Sequence, residues 1–469
     1  KKTNAMKRIT TLFVFGLSLF SATLVGQTHI WNGNGGDNNW FTASNWSSNS
    51  VPDAASTVEI PSGFTVEIIT GIANCNSLDL VGNAVLTLSN DMNIGSQIQI
   101  ASQASFVFRE GIMQGPAVLD NNGTLQIEGS ALRTFNAMTI NNHGLFLVTN
   151  SNQTFLIGDT IINNAATGTL DIASVGGFLQ QSSHAIINND GLFRKSPDGI
   201  SPIGNFYVIT EVNNTGIIEV LPDEIFLFLA GGSDFVNLEN GLIEGSGTLD
   251  ITANFINEGT VAPAGIGEVG TLHITNNFDL GASATLEIDI EGTSQGLYDS
   301  VEIVGAPNLE GNLKVLIPGS TQLSLGDEFT IVTADLGINT CDLPSEVIAN
   351  DGSFEDYIFE VECNSNSVVL RVIGQVLSIS ENELLRRDFF GFPNPSSTQV
   401  QFTIAKDWLS RQDQEVSMRV YNAFGQLIKQ DSVVHSEHTL IIESFTSGLY
   451  FVELVLGETT MANSKLIVE

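Results

Sequence analysis

The chain has 469 residues, 42% of them hydrophobic and only 15% charged, a balance that supports a buried core and excludes a disordered polymer. The formal net charge of −35 is concentrated in residues 28–370, where forty acids face five bases: Arg109, Arg133, Arg194, Lys195 and Lys314. Such a surface repels phosphate backbones, so nucleic acid is not an expected partner.

In chain order, the first feature is a targeting segment. Lys7 and Arg8 precede an apolar run from Leu12 to Phe20, followed by small residues up to Gly26. This is the pattern of a secretory signal peptide over residues 1–26, with cleavage expected near Gly26–Gln27 and the residues before Met6 read as an over-called start. No later run reaches eighteen apolar residues, so an integral membrane protein is not expected. Export exposes three cysteines to an oxidising setting. Cys341 and Cys363 lie in one β-rich segment and are the expected disulfide pair, with Cys75 left as a small buried residue.

Residues 27–120 open with Trp31, Trp40 and Trp46 among glycines and asparagines, then alternate as short strands such as TVEI and SLDL. The tryptophans have two readings. They could cover the open end of a solenoid, whose first coil has no neighbour, or present ligand-facing aromatics to sugar rings. The arrangement resembles the start of secreted bacterial β-helical surface proteins, which favours the cap.

A phrase of Asn-Asn-x-Gly and alternating apolar residues then recurs through residues 121–300. Gly123, Gly144, Gly168, Gly191, Gly216 and Gly241 mark it, 21 to 25 residues apart. A period in the low twenties without helical periodicity predicts an all-β fold, a right-handed parallel β-helix of roughly 22-residue coils. The pairs Leu125/Ile127, Phe146/Val148, Leu170/Ile172, Ile218/Val220 and Leu249/Ile251 fall on one strand face, the expected interior. The asparagines are expected at corners with left-handed backbone, stacking their amides from coil to coil. Lys195 occupies an expected inward position within RKSPDGISPIG. That coil is expected to bulge into a surface loop.

From Gly259 to Asp335 the texture is similar to the C-terminal end of autotransporter-like adhesin passengers, carried by Pro263, Gly265, Gly270, Thr271, Leu272, Tyr298, Asp299, Gly305, Gly311 and Leu313. Residues 301–374 are read as the closing β segment and 375–391 as a linker. Residues 392–469 alternate like a small antiparallel β-sandwich. They resemble the type IX secretion C-terminal sorting domain of Bacteroidota through Pro393, Asn394, Pro395, Tyr421, Gly425, Gly448, Tyr450 and Lys465. That resemblance implies recognition by the type IX translocon and sorting machinery, and a secreted or outer-membrane surface location reached via the periplasm.

Motifs for chemistry are sparse. P-loop, HExxH and paired CxxC patterns are absent, the glycine clusters stand in no strand–turn–helix context, and the six histidines are scattered. No cofactor is expected, apart from weak Ca²⁺ binding by an outward acid ladder. Glu219, Glu244 and Asp250 could stack on successive coils as a glycosidase pair. Together these readings point to a non-catalytic, adhesin-like or structural β-helical protein, with an extracellular glycan or neighbouring cell surface as its target. The alternative is a carbohydrate-binding or polysaccharide-degrading enzyme on the same scaffold.

Overall fold

A computed structural model describes residues 26–149, 151–181, 184–197, 205–229, 234–276, 278–317, 321–350, 355–377, 389–404, 416–456 and 459–469. The signal-peptide expectation over 1–26 falls outside the described residues except for Gly26, and so do residues 378–388 of the linker expected at 375–391, whose two ends belong to the strands Ser367–Leu377 and Phe389–Phe392. The chain forms two compact units. One comprises Lys1–Ala349 with Ile358–Ile373, and the other Asn350–Tyr357 with Gly374–Glu469.

The first unit is a parallel β-helix with three strands per coil. One coil shows the plan: Ile161–Asn164, Thr169–Ile172 and Gly177–Gln180 form the first, second and third faces. Each strand pairs in parallel register with its counterpart one coil away, as Leu170 does with Phe146 and Phe193. The repeat lengthens along the axis. Thr65 pairs with Val85, twenty residues on, whereas Thr285 pairs with Asn312, twenty-seven on. Parallel stacking stops where Glu328–Ala334 pairs antiparallel with Ser367–Leu377.

Alternation along each strand builds the interior. The expected pairs Leu125/Ile127 through Leu249/Ile251 are all buried. Phenylalanines add an internal stack through Phe226, Phe228, Phe235 and Phe255, with successive ring centroids 4.6, 4.1 and 5.0 Å apart.

The asparagines stack as expected, but for another geometric reason. The last residue of each first-face strand (Asn121, Asn142, Asn164, Asn189, Asn214, Asn237 and Asn257) points inward and is buried. Each amide nitrogen from Asn121 to Asn237 donates to the next coil's side-chain oxygen at 2.7–2.8 Å. Several also donate to a backbone carbonyl of the next coil, as Asn189 does to Ile217 at 3.0 Å. None has a positive φ, so left-handed tolerance is not what selects asparagine here. A side chain carrying both donor and acceptor is needed to satisfy a buried row that repeats every ~4.8 Å. Outside, Asn141, Asn163, Asn188 and Asn213 form a second ladder anchored on Asp120.

The repeat glycines are likewise fixed by close approach. A Cβ on Gly191 or Gly216 would sit 2.3 or 2.2 Å from a carbonyl oxygen of the preceding corner.

In the second unit, Phe389–Phe392, Gln399–Ile404 and Glu437–Ile441 form one antiparallel sheet. Leu427–Ser432, Val416–Asn422, Gly448–Leu456 and Thr459–Val468 form another. A shared core includes Phe402, Met418, Leu440, Val452, Leu454 and Leu466.

Replacing Asn189 by alanine leaves the Asn164 amide and the Asn214 oxygen without their rung. The expected cost is about 1–3 kcal/mol, read as a lower melting temperature by circular dichroism. An unchanged melting temperature would show that the ladder does not stabilise the fold.

Candidate functional site

The tryptophans do not face a ligand. Trp31, Trp40 and Trp46 are 2%, 0% and 0% exposed, so their reading as ligand-facing aromatics is corrected. Trp46 lies edge-on to both neighbours, with centroids 4.9 Å from Trp31 and 4.8 Å from Trp40. Its indole nitrogen donates to the Trp40 carbonyl at 2.7 Å. Backbone bonds from Trp31 to Glu59 and from Trp40 to Glu67 fasten the cluster over the first coil. This is an end cap, formed because an exposed apolar coil end would otherwise meet water.

Lys195 also departs from expectation. Its strand, Leu192–Lys195, keeps register with both neighbours, and the side chain enters the interior between Ile172 and Val220. It is fully buried, bonded to the Glu224 carboxylate and the Ser196 carbonyl. The coil does not bulge at this point because an acid 29 residues ahead neutralises the charge. Residues 198–204 of the expected loop lie outside the described residues.

All five bases of the acidic section serve the coils. Arg133 is buried and donates to the Ala131 and Glu128 carbonyls; burial lowers its pKa. Arg109 pairs with Glu128, Arg194 with Asp171, and Lys314 with Glu287.

The second face carries a row of titratable groups. Its outward lane runs Asp171, Arg194, Glu219, Glu244 and Ala262 on successive coils. Arg194 donates to Asp171 at 2.7 Å and lies 3.8 Å from Glu219. Glu219 and Glu244 are register partners, so the strand spacing of about 4.8 Å sets them side by side. Burial, reinforced by Glu219, pushes Glu244 up to about 7. Burial also raises Glu219, against the pull of Arg194. Asp250 is not part of this lane. It stands on the third face between Leu227 and Thr275 and accepts from Asn276.

Further along, Glu287, Asp289 and Asp299 form a buried group of acids. Lys314 binds one Glu287 oxygen at 2.9 Å, and the other has no partner among the described residues. Asp289 accepts from the Gly267 amide, while Asp299 accepts from the Gly270 and Asp289 amides, so both acids staple the loop after Pro263. Burial pushes Asp299 up to about 8. Among the described residues, no group of three or more His, Cys, Asp or Glu is arranged to hold a metal ion.

Sequence reasoning missed Asp171, Arg194 and Glu224, as well as this buried acid group. The signal for the lane was present: the residue between the two apolar positions of each repeat phrase falls on one outward row. Glu224 had no such mark, because it follows its strand in a turn.

Cys341 and Cys363 form a disulfide with Cα atoms 6.3 Å apart. Cys75 is buried and its thiol is pushed up to about 12 by burial, which makes it inert at neutral pH. In the C-terminal unit, Asn394 links the opening turn to the last strand, donating to the Lys465 carbonyl at 2.7 Å and accepting from the Ile467 amide at 2.8 Å. Pro393 and Pro395 flank it in that turn. Asn422 accepts from the Phe424 and Gln426 amides around Gly425, whose φ of 74° suits a hairpin turn after Tyr421. Tyr450 is buried and donates to the Thr446 carbonyl, two residues before Gly448. Lys465 is exposed and pairs across from Phe451.

Residues 391–469 match the family of secretion system C-terminal sorting domains. With the β-helix, this defines a secreted or cell-surface β-helical protein exported by the type IX system. The chain is also similar to Beta-agarase A of Zobellia galactanivorans, 25% identical over 218 residues. The match covers 41% of this chain and 35% of that protein, so the chain spans about a third of its relative's length. Among the described residues, no helix is long and apolar enough to cross a membrane.

Two outcomes follow from the buried charges. Lys195→Met strands Glu224 and is expected to cost about 3–5 kcal/mol, while Lys195→Met with Glu224→Leu recovers most of it. Thermal denaturation of the three proteins checks this; equal losses in single and double variants would refute pairing. The second concerns pH. Glu244 moves from 4.5 to about 7 and Asp299 from 3.8 to about 8 on folding. The folded state therefore binds more protons in that interval, and stability falls as pH rises through it. The melting temperature is expected to be higher at pH 5.5 than at pH 8.5, with a smaller difference in Glu244→Gln.

Proposed function

We infer that this protein is a non-catalytic, surface-displayed β-helical rod, adhesin-like in role, carried outward by its sorting domain. One observation carries the reading: the recurrent residues and all five bases of the acidic section are committed to holding coil to coil. Inward asparagines satisfy one another, repeat glycines admit neighbouring carbonyls, and the cations bind acids or carbonyls. What faces water on the helix is acid, amide and hydroxyl interspersed with aliphatics such as Ile69, Leu325 and Leu336, and it offers no unpaired cation from these five bases. Such a surface supports display in a hydrated extracellular layer and disfavours an anionic polymer as ligand. A lyase acting on an acidic glycan would need an available cation near its base, and these cations are already engaged.

A second reading is favoured by the Glu219–Glu244 pair. Their backbones stand about one strand spacing apart and burial pushes Glu244 up to about 7, a placement compatible with the carboxyl spacing of about 5–5.5 Å used by retaining glycosidases. The partial similarity to Beta-agarase A adds weight to an enzyme acting on polysaccharide.

One assay separates the two. Purified protein is incubated with a panel of neutral and acidic polysaccharides, and new reducing ends are measured. No release is expected from any of them. Release that disappears in Glu244→Gln while the fold persists would replace the first reading with the second.

A further inference from the structure

A groove of about 480 Å³ lies along one corner of the β-helix, near the C-terminal end of its parallel coils. Three successive coils line it. The first contributes Asn276 and Asp279, the second Val304 and Asn308, and the third Leu336 and Asn339. Its volume falls within the range of small-molecule sites, roughly 300–1,000 Å³.

The lining has a consistent chemistry. Among the described lining residues, Asp279 is the one carboxylate and none is a cation. Each coil offers an amide side chain. Asn308 donates to Asp279 at 2.8 Å, and Asn339 donates to the Ala306 carbonyl at 2.8 Å. Asn276 donates to Asp250. Each of these bonds uses one of an amide's two N–H groups, so the groove keeps donors on the three amide nitrogens and acceptors on the second Asp279 oxygen and the Asn276 and Asn339 side-chain oxygens. Donors and acceptors together suit ligands dense in hydroxyls, which both donate and accept. Beside them, Val304 is 50% and Leu336 76% exposed, an aliphatic patch that water solvates poorly. Gly305 stands between them and lets its coil pass close to the preceding one, since a Cβ there would meet the Asn276 carbonyl at 2.2 Å.

Hydroxyl donors on one edge and a C–H face on the other describe a pyranose ring. The coil spacing of about 4.8 Å is also close to the length of one ring in a polysaccharide chain. We propose that the groove lined by Asn276, Asp279, Val304, Asn308, Leu336 and Asn339 binds a neutral polysaccharide chain, two or three rings at a time. A polyanion is disfavoured by Asp279 and by the acidic surface around it. The site lies on different coils from Glu219 and Glu244, and its role does not depend on whether those acids catalyse.

The test titrates full-length protein with neutral hexasaccharides of glucose, mannose and galactose, and with hexalysine and oligogalacturonate as charged probes, by calorimetry. At least one neutral hexasaccharide is expected to bind saturably, and both Leu336→Ser and Asn339→Ala are expected to weaken it about tenfold. Leu336 is exposed, so its variant should keep the parent melting temperature. Three results would overturn the proposal: no saturable binding of any neutral hexasaccharide, binding that both variants leave unchanged, or tighter binding of hexalysine. None of them bears on the non-catalytic reading, which rests on reducing-end release.

Discussion

The β-helix is governed by the distance between one coil and the next. Parallel strands set it at about 4.8 Å, and every residue at a corner must fit within that rise. A carbonyl of one corner occupies the space where the next coil's Cβ would be, which excludes every residue but glycine at Gly191 and Gly216. The same rise brings buried amides into hydrogen-bond contact, which is why asparagine recurs at the end of the first-face strands. A buried amide costs free energy unless both its donor and its acceptor are paired. Stacking identical residues satisfies both at once, and each rung therefore depends on its neighbours.

Electrostatics follow the same geometry. With forty acids and five bases in residues 28–370, repulsion between coils must be limited where like charges align. The lane from Asp171 to Glu244 shows how. Arg194 sits between Asp171 and Glu219, whereas Glu244 has no cation beside it among the described residues and holds its proton up to about neutral pH. Lys195 and Glu224 meet the stricter condition of the dry interior, where an unpaired charge could not remain. These charges are organised by the coil repeat, although no short motif announces them.

This explains what the sequence could disclose. Periodicity exposed the β-helix, its inward apolar pairs and its asparagine stacking, because a constant rise repeats the same demand in every coil. The C-terminal domain was legible through the turn at Pro393–Pro395 and the hairpin at Gly425. The tryptophans were ambiguous because an end cap and a sugar platform both use aromatic rings; burial separates them only in three dimensions. Lys195 was misjudged because its partner, Glu224, belongs to the next coil. The groove was invisible for the same reason. Asn276, Asn308 and Asn339 are about thirty residues apart, lie on non-equivalent corner positions, and carry no shared motif.

The inner ladder has a direction. From Asn121 to Asn237 each amide nitrogen points to the following coil, and at Asn257 the row ends with a nitrogen that has no partner among the described residues. A row of this kind has identical faces at every interior junction, whatever its number of members. Duplication or loss of a whole coil would thus leave both ends, the tryptophan cover and the antiparallel closure, with the neighbours they already have. The reach of the molecule is quantised, and gene-level expansion could tune it one coil at a time without redesigning either terminus.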